Sequence, residues 1–258
     1  MFCSQPPRRW REIFLACGLV LFGLSTANAG IINPTRIGPL PASRAEPFQP
    51  FTAIVPAGAL YDKWAGLERQ LDDEALVLVL CQEDRARCAS PAARQLLGIV
   101  DDAMAQDGRA RLGHVNRAIN LAIRPGSDME LYGAEDVWRS PLALLETGAG
   151  DCEDYAIAKF VALRAAGVAT EDLRLVILRD TQRNEDHAVV AARLDGNWLL
   201  LDNRRMSMIA DGQARQIRPL FVIDRQGVRQ YLDVPALAQA EPAEKNPADL
   251  LKLALRVR

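Results

Sequence analysis

The spacing of the apolar residues changes after Gly167. Upstream of this glycine, apolar side chains recur every three or four residues, as in Leu60, Trp64, Leu67 and Leu71, which is the period of an amphipathic helix. Downstream they alternate or form short runs of the length that strands have. This order of elements, helices first and strands afterwards, limits the possible folds. We expect an α+β domain whose N-terminal helices pack on an antiparallel sheet.

Turn and cap residues divide the chain into elements. Ser90-Pro91 and Ser140-Pro141 each place an N-cap residue before a proline at the first helical position, and Gly148 and Gly167 end helices. The helices are predicted at residues 59–73, 91–103, 110–122, 141–147 and 152–166. The strands are predicted at residues 173–179, 187–194, 197–202, 219–224 and 228–232.

The N-terminus has the pattern of an export signal. Three arginines between residues 8 and 11 precede an apolar run at 13–24, and Ala27-Asn28-Ala29 offers a small-residue cleavage site. We predict a secretory signal peptide at residues 1–29 and export of the mature chain; an uncleaved anchor is the alternative. No later segment reaches the ~20 apolar residues of a membrane span, so we expect no stable membrane insertion of the mature chain.

The remaining predicted segments are a proline-rich extended arm at 30–50, the main domain at 51–235 and a C-terminal tail or helix at 236–258.

The charge balance argues against a nucleic-acid partner. The chain has 31 Lys and Arg against 33 Asp and Glu, a formal charge of -2, so it has no overall basic field to attract phosphates. The sequence also lacks the zinc-protease, dithiol, serine-hydrolase and phosphate-loop motifs.

Export would leave three cysteines in an oxidising compartment. Cys81 and Cys88 are seven residues apart and could form a disulfide that closes a loop, which leaves Cys152 as a free thiol. Spacing does not establish connectivity, and three buried reduced cysteines remain an alternative.

Cys152 follows two glycines at the start of a predicted helix. The positive end of the helix dipole and the unpaired N–H groups there favour a thiolate and could hold an oxyanion. This position suits a nucleophile. A buried structural cysteine is the alternative reading.

A predicted hairpin supplies a base for this thiol. Asp195-Gly196 between two apolar runs predicts a two-residue turn, in which paired residue numbers sum to 391. Asp202 then lies opposite Val189 and on the same side as His187, about 7 Å away between backbones, so the two side chains can meet. Together with Cys152 they would form a Cys-His-Asp arrangement. A solvated histidine and an aspartate that caps the following turn are the alternatives.

Acidic residues surround the candidate nucleophile. Asp151, Glu153 and Asp154 should raise the pKa of the Cys152 thiol, against the effect of the helix end. A bound Ca²⁺ would neutralise them. Alternatively, Asp151 caps the helix and the other two interact with its dipole, which requires no metal.

Four short strings of residues carry a resemblance to a known family. They are Asp136-Val137-Trp138-Arg139-Ser140-Pro141, Gly148-Ala149-Gly150-Asp151-Cys152-Glu153-Asp154-Tyr155-Ala156, Asp186-His187-Ala188-Val189 and Leu201-Asp202-Asn203. On these residues the chain resembles the bacterial transglutaminase-like cysteine proteinases and, within them, the LapG-type periplasmic proteases. The resemblance implies a transglutaminase or papain-like core with the nucleophile helix on the sheet. It also implies Cys152 as nucleophile, His187 as base, Asp202 as orienting acid, and Ca²⁺ at Asp151 and Glu153.

The resemblance further implies a substrate and a regulatory partner. Members of the family cut a large surface adhesin in its N-terminal region, next to paired alanines, and so release cells from a biofilm. A LapD-like inner-membrane receptor that responds to cyclic di-GMP holds them inactive. Two other functions stay open: a transglutaminase-type acyl transferase acting on cell-envelope peptides, and a catalytically silent binding module.

Overall fold

The computed structural model describes residues 46–48 and 51–232 of the chain. Six α-helices lie in this part. They are α1 (Ala59–Glu83), α2 (Pro91–Met104), α3 (Gly108–Ala122), α4 (Asp128–Tyr132), α5 (Pro141–Thr147) and α6 (Cys152–Ala165). Five of them correspond to predicted helices, with ends that differ by up to a turn except at α1.

Most of the strands follow the helices. They are β1 (Thr52–Ile54), β2 (Arg124–Pro125), β3 (Ala149–Gly150), β4 (Leu173–Asp180), β5 (Glu185–Leu194), β6 (Asn197–Leu201), β7 (Ile209–Ala210), β8 (Ile217–Asp224) and β9 (Gly227–Tyr231). Seven form one antiparallel sheet in the order β1-β9-β8-β4-β5-β6-β7, while β2 and β3 pair in parallel with each other. The predicted α+β class is therefore confirmed.

Helix α1 ends at Glu83, whereas the sequence predicted an end at residue 73. Glu74 takes the next position of the apolar stripe, and its carboxylate accepts the N–H groups of Leu142 at 3.1 Å and Ala143 at 3.3 Å in the first turn of α5. The Ser140 hydroxyl also donates to it. The predicted boundary was wrong because Glu74 is polar and so interrupts the apolar period, although the helix continues. Its carboxylate accepts the N–H groups at the start of α5, which have no acceptor within that helix.

The turn between β5 and β6 has the predicted geometry. Asp195 and Gly196 both have positive φ angles, 50° and 79°, as a two-residue type I′ turn requires. The ladder pairs Leu194 with Asn197 and Val190 with Leu201. These pairs confirm the predicted register.

Helix α6 lies between the other helices and the sheet. Every residue from Asp154 to Leu163 is buried, because α2, α3 and α5 pack against α6 as do β4 and β5. A helix that is buried on all sides normally carries apolar residues all round. Lys159 departs from this pattern, since its side chain is 0% exposed.

A buried group of charges ties the segment 46–48 to the other face of the sheet. The Glu46 carboxylate lies 2.7 Å from Nε of Arg174 and 2.9 Å from Nη1 of Arg229, which also pairs with Asp224 at 2.6 Å. Burial would raise the pKa of Glu46, but the hydrogen bonds and charges of the two arginines lower it overall. Part of the predicted extended arm therefore docks on the domain.

The predicted signal peptide at 1–29 and tail at 236–258 lie outside the described residues, as does most of the arm at 30–50. In the part of the chain that the structure describes, no helix combines the length and the apolarity that crossing a bilayer requires.

The connection between α1 and α2 contains a disulfide. Cys81 near the end of α1 is bonded to Cys88. Cys152 is the free cysteine of the described residues. The bond links the end of the extended α1 to the segment that leads into Ser90, the N-cap of α2.

We expect mass spectrometry of the denatured, non-reduced mature protein to find the Cys81 and Cys88 peptides linked and Cys152 alkylated by iodoacetamide. An oxidising compartment favours the short-range pair and leaves the third thiol without a partner. Detection of Cys152 in a disulfide would contradict this pairing.

The buried Lys159 predicts a pH dependence of stability. Burial lowers the pKa of Lys159 to about 7, although the charge of Asp202 opposes this. The unfolded lysine has a pKa of about 10.4, so between these values the unfolded chain binds more protons and the free energy of unfolding rises with pH. We expect Lys159→Met to gain stability relative to wild type near pH 6.5, and this gain to shrink by pH 9.5. Urea denaturation at three pH values measures the difference, and a pH-independent difference would contradict the prediction.

Candidate active site

Cys152 is the first residue of α6 and follows a tightly packed glycine. A Cβ atom at Gly150 would overlap the Asp154 carboxylate and the side chain of Leu144, so only glycine lets the chain approach the helix here. Asp151 occupies the N-cap position, but its side chain makes no capping hydrogen bond. The alternative in which Asp151 simply caps the helix therefore lacks its hydrogen bond. The first N–H groups of α6 have no intrahelical acceptor.

His187 and Asp202 form a hydrogen-bonded pair. Nε2 of His187 lies 2.8 Å from Oδ1 of Asp202. A carboxylate only accepts, so Nε2 carries a proton and, in the neutral imidazole, Nδ1 is the acceptor nitrogen. Among the described residues Nδ1 has no hydrogen-bond partner, although it is buried. The predicted register brought these side chains together, and Asp202 lies one residue beyond the end of β6.

Cys152 and His187 line the same cavity, which has a volume of about 390 Å³. We call it the nucleophile cavity. Its wall also includes the rings of Trp138 and Phe221 and the side chain of Ile177. Four acidic residues complete the lining together with aliphatic side chains, so the site is a cleft in which apolar side chains and carboxylates surround a thiol and an imidazole.

The surroundings of Cys152 oppose ionisation of its thiol. Burial raises the pKa of Cys152, the charge of Glu153 raises it further, and the backbone N–H of Ala188 lowers it by a hydrogen bond to the sulfur. The sulfur lies 3.2 Å from Oε2 of Glu153. Asp151 adds to the effect. Removing the negative charge beside the sulfur would therefore favour the thiolate.

Three carboxylates meet beside the nucleophile. Asp128, Asp151 and Glu153 each place one oxygen within 4.8 Å of the others. Burial, then the hydrogen bond with Glu153 and the charges of Glu153 and Asp128, raise the pKa of Asp151, and burial raises that of Glu153. One buried oxygen of Asp128 and one of Asp151 have no hydrogen-bond partner among the described residues. Such a set of hard oxygen donors fits Ca²⁺.

Sequence reasoning assigned Asp151 and Glu153 to this cluster but missed Asp128. Asp128 lies 23 residues upstream of Asp151, in the first turn of the short helix α4, and it accepts the N–H of Val137. Asp136, which begins one of the four strings that carry the family resemblance, lies close to the cluster, since its charge also raises the pKa of Asp151. No local motif marks Asp128.

Asp136 connects the cluster to the cleft wall. It accepts the indole N–H of Trp138 at 3.0 Å and pairs with Lys63 of α1. Lys63 also lies 5.7 Å from the centre of the Trp138 ring. These contacts fix the side chain that covers one side of the nucleophile cavity.

Two buried side chains, Asn120 and Lys159, interact with Asp202 from the interior of the fold. Asn120 of α3 donates to the backbone carbonyls of Asp202 at 3.0 Å and Arg205 at 3.1 Å. Burial alone would raise the pKa of Asp202, but His187 lowers it by hydrogen bond and charge, and Lys159 lowers it further by its charge. Lys159 has no hydrogen-bond partner among the described residues. Sequence reasoning identified neither residue.

Solved structures show the same fold. EGTA-treated LapG of Legionella pneumophila matches with a TM-score of 0.51 and 22% identity, over 62% of this chain and 86% of that one. Calcium-bound LapG of the same organism matches with a TM-score of 0.50 and 21% identity, over 69% of this chain and 98% of that one. At this level of identity the likeness concerns the fold alone.

Comparison of sequences identifies the family. No curated protein sequence matches the chain. The model of the bacterial transglutaminase-like cysteine proteinases matches residues 76–215, more than half of the chain, and this range contains Cys152, His187 and Asp202. The protein therefore belongs to the bacterial transglutaminase-like cysteine proteinase family.

Proposed function

We propose that the protein is a cysteine endopeptidase in which Cys152 is the nucleophile, His187 the general base and Asp202 the group that orients the imidazole. One observation carries the proposal. Asp202 fixes Nε2 of His187 at 2.8 Å, so that the buried Nδ1 is the acceptor nitrogen of the neutral imidazole, and His187 and Cys152 share one cavity. An imidazole held in this tautomer suits proton transfer from a thiol.

The proposed reaction has two halves. The thiol proton passes to Nδ1 of His187 as the sulfur of Cys152 bonds to the scissile carbonyl carbon, and N–H groups at the start of α6 bind the oxyanion. The C–N bond then breaks, and the imidazolium gives the proton to the leaving amine. Water, deprotonated by the same imidazole, hydrolyses the thioester and restores the thiol.

We further infer a Ca²⁺ site at Asp128, Asp151 and Glu153. Three carboxylates, two of them with buried oxygens that lack partners, supply the donors that this cation prefers. A bound Ca²⁺ would neutralise charge that raises the pKa of Cys152. Legionella LapG, which has the same fold, has been solved in a calcium-bound form.

The biological setting proposed here rests on the family resemblance. The substrate would be a large surface adhesin cut near paired alanines in its N-terminal region, which releases the adhesin and promotes biofilm dispersal. The protein would act in the periplasm after removal of residues 1–29. A LapD-like inner-membrane receptor for cyclic di-GMP would inhibit it.

Substitution of the three residues tests the catalytic proposal. Cys152→Ala and His187→Ala should fold normally and lose cleavage of an internally quenched peptide with paired alanines and of a recombinant adhesin N-terminal fragment. Asp202→Asn should keep the base but lose its orientation, lowering kcat by about 10²- to 10⁴-fold. Asp195→Asn is the matched control, because it makes the same chemical change at the other end of β6, in a turn position that asparagine tolerates.

Product analysis separates the competing functions. Mass spectrometry of the products should show two free peptide termini even when a primary amine is present in excess. Incorporation of the amine would instead indicate an acyl transferase, because the two reactions share the acyl-enzyme. Full cleavage by Cys152→Ala would remove the cysteine from the mechanism.

Chelation tests the metal proposal. EGTA should abolish cleavage, and Ca²⁺ should restore it more effectively than Mg²⁺. Asp151→Ala, Glu153→Ala and Asp128→Ala should each mimic the chelator, and circular dichroism checks that each variant is folded. Asp151→Ala should stay folded, since Asp151 makes no capping hydrogen bond and loss of a cap costs only ~1 kcal/mol in any case. The exposed Asp72→Ala serves as the control and should keep its response to Ca²⁺.

Isothermal titration calorimetry provides the independent readout. We expect Ca²⁺ binding to wild type and to Asp72→Ala, and none to the three cluster variants. If wild type binds no Ca²⁺ and EGTA leaves cleavage unchanged, the acidic cluster is not a calcium site.

A further inference from the structure

The His187–Asp202 pair lies between two cavities. One is the nucleophile cavity, which contains Cys152. The other has a volume of about 540 Å³ and is lined by both members of the pair but not by Cys152. Its wall includes four arginines, Arg183, Arg204, Arg205 and Arg215, and we call it the arginine cavity.

Two of these arginines are already paired. Nη2 of Arg204 lies 2.7 Å from Glu185, and its Nη1 lies 3.3 Å from Asp180. Arg183 lies 3.9 Å from Asp180 and 3.8 Å from Glu185. These four side chains balance one another. Asp202, the other acid in the wall, is hydrogen-bonded to His187.

The other two arginines carry unbalanced positive charge. Arg205 and Arg215 are exposed, and neither has an acidic partner among residues 46–48 and 51–232. The backbone of Arg205 is nevertheless fixed, because its carbonyl accepts from Asn116 at 2.9 Å and Asn120 at 3.1 Å. Within the described residues, the cavity therefore presents two guanidinium groups that have no acidic partner, and the backbone of Arg205 is anchored.

The proton transfer in the proposed reaction indicates which part of a substrate would enter this cavity. His187 gives its proton to the leaving amine, so the peptide on the C-terminal side of the scissile bond lies beside the imidazole. The arginine cavity is also lined by His187, but Cys152 is not part of its wall. Residues that follow the scissile bond are thus the ones within reach of Arg205 and Arg215.

We propose that the arginine cavity binds acidic residues of the protein substrate on the C-terminal side of the scissile bond, and that Arg205 and Arg215 select them. This inference rests on the proposed peptidase function. Guanidinium groups bind carboxylates through paired N–H donors. Two surplus charges in a cavity of this size match a short acidic segment and are too few for the phosphates of a nucleic acid.

Three quenched peptides test the proposal. They share paired alanines at the cleavage site and differ in the second and third residues after it, which are Glu-Glu, Gln-Gln or Lys-Lys. Wild type should cleave the Glu-Glu peptide with a kcat/KM about five- to tenfold above that for Gln-Gln, because each exposed charge contact contributes a few-fold. The Lys-Lys peptide should be the poorest. High salt should compress the differences.

Variants assign the selectivity to the two residues. The double variant Arg205→Gln/Arg215→Gln should cleave the three peptides at nearly the wild-type rate for Gln-Gln. Arg225→Gln is the matched control, since this exposed arginine lies in the turn at the far end of β8 from the cavity and should leave the preference intact. Equal rates for the three peptides with wild type, or an unchanged preference in the double variant, would overturn the proposal.

A binding measurement separates this inference from the peptidase proposal. Fluorescence anisotropy should show a labelled Ala-Glu-Glu peptide binding to wild type several-fold more tightly than Ala-Gln-Gln, and the double variant should lose the difference. If this discrimination is found without cleavage of any peptide, the cavity binds acidic residues and the peptidase proposal fails. If cleavage occurs without discrimination in either assay, the peptidase proposal stands and the role of the cavity is rejected.

Discussion

Burial of helix α6 on all sides is the constraint on which the rest of the structure depends. Its residues from Asp154 to Leu163 are buried, so the helix requires packed helices on one side and the antiparallel sheet on the other. This sandwich fixes the start of the helix, and with it Cys152, against the strand that carries His187. A helix held in this way can present a reactive group with little freedom, which favours a site that depends on geometry.

The charges around Cys152 affect how readily its thiol ionises. Burial and the carboxylates beside Cys152 raise the pKa of its thiol, while the N–H of Ala188 lowers it. The side chains around Cys152 therefore on balance disfavour the thiolate. A cation at Asp128, Asp151 and Glu153 would act on this balance directly, which links the proposed metal site to the proposed chemistry.

Behind the pair of His187 and Asp202, the fold places polar groups in its core. Lys159 is completely buried, and Asn120 holds the backbone of Asp202. Burying a charged or polar group is costly unless it finds compensation. Lys159, which has no hydrogen-bond partner among the described residues, therefore reduces stability, whereas Asn120 makes two hydrogen bonds that hold the loop after β6.

The sequence by itself determined the parts that depend on local chemistry. The period change after Gly167, the capped helix starts, and the turn at Asp195-Gly196 established the class, most helices and the register that brings His187 to Asp202. Tertiary structure alone decided the length of α1. The polar Glu74 stands at a position of the apolar stripe, and its role there, accepting N–H groups of α5, is visible only in the fold. It likewise decided the roles of Asp128, Lys159 and Arg205, since each acts through residues distant along the chain and no local period or spacing encodes such contacts.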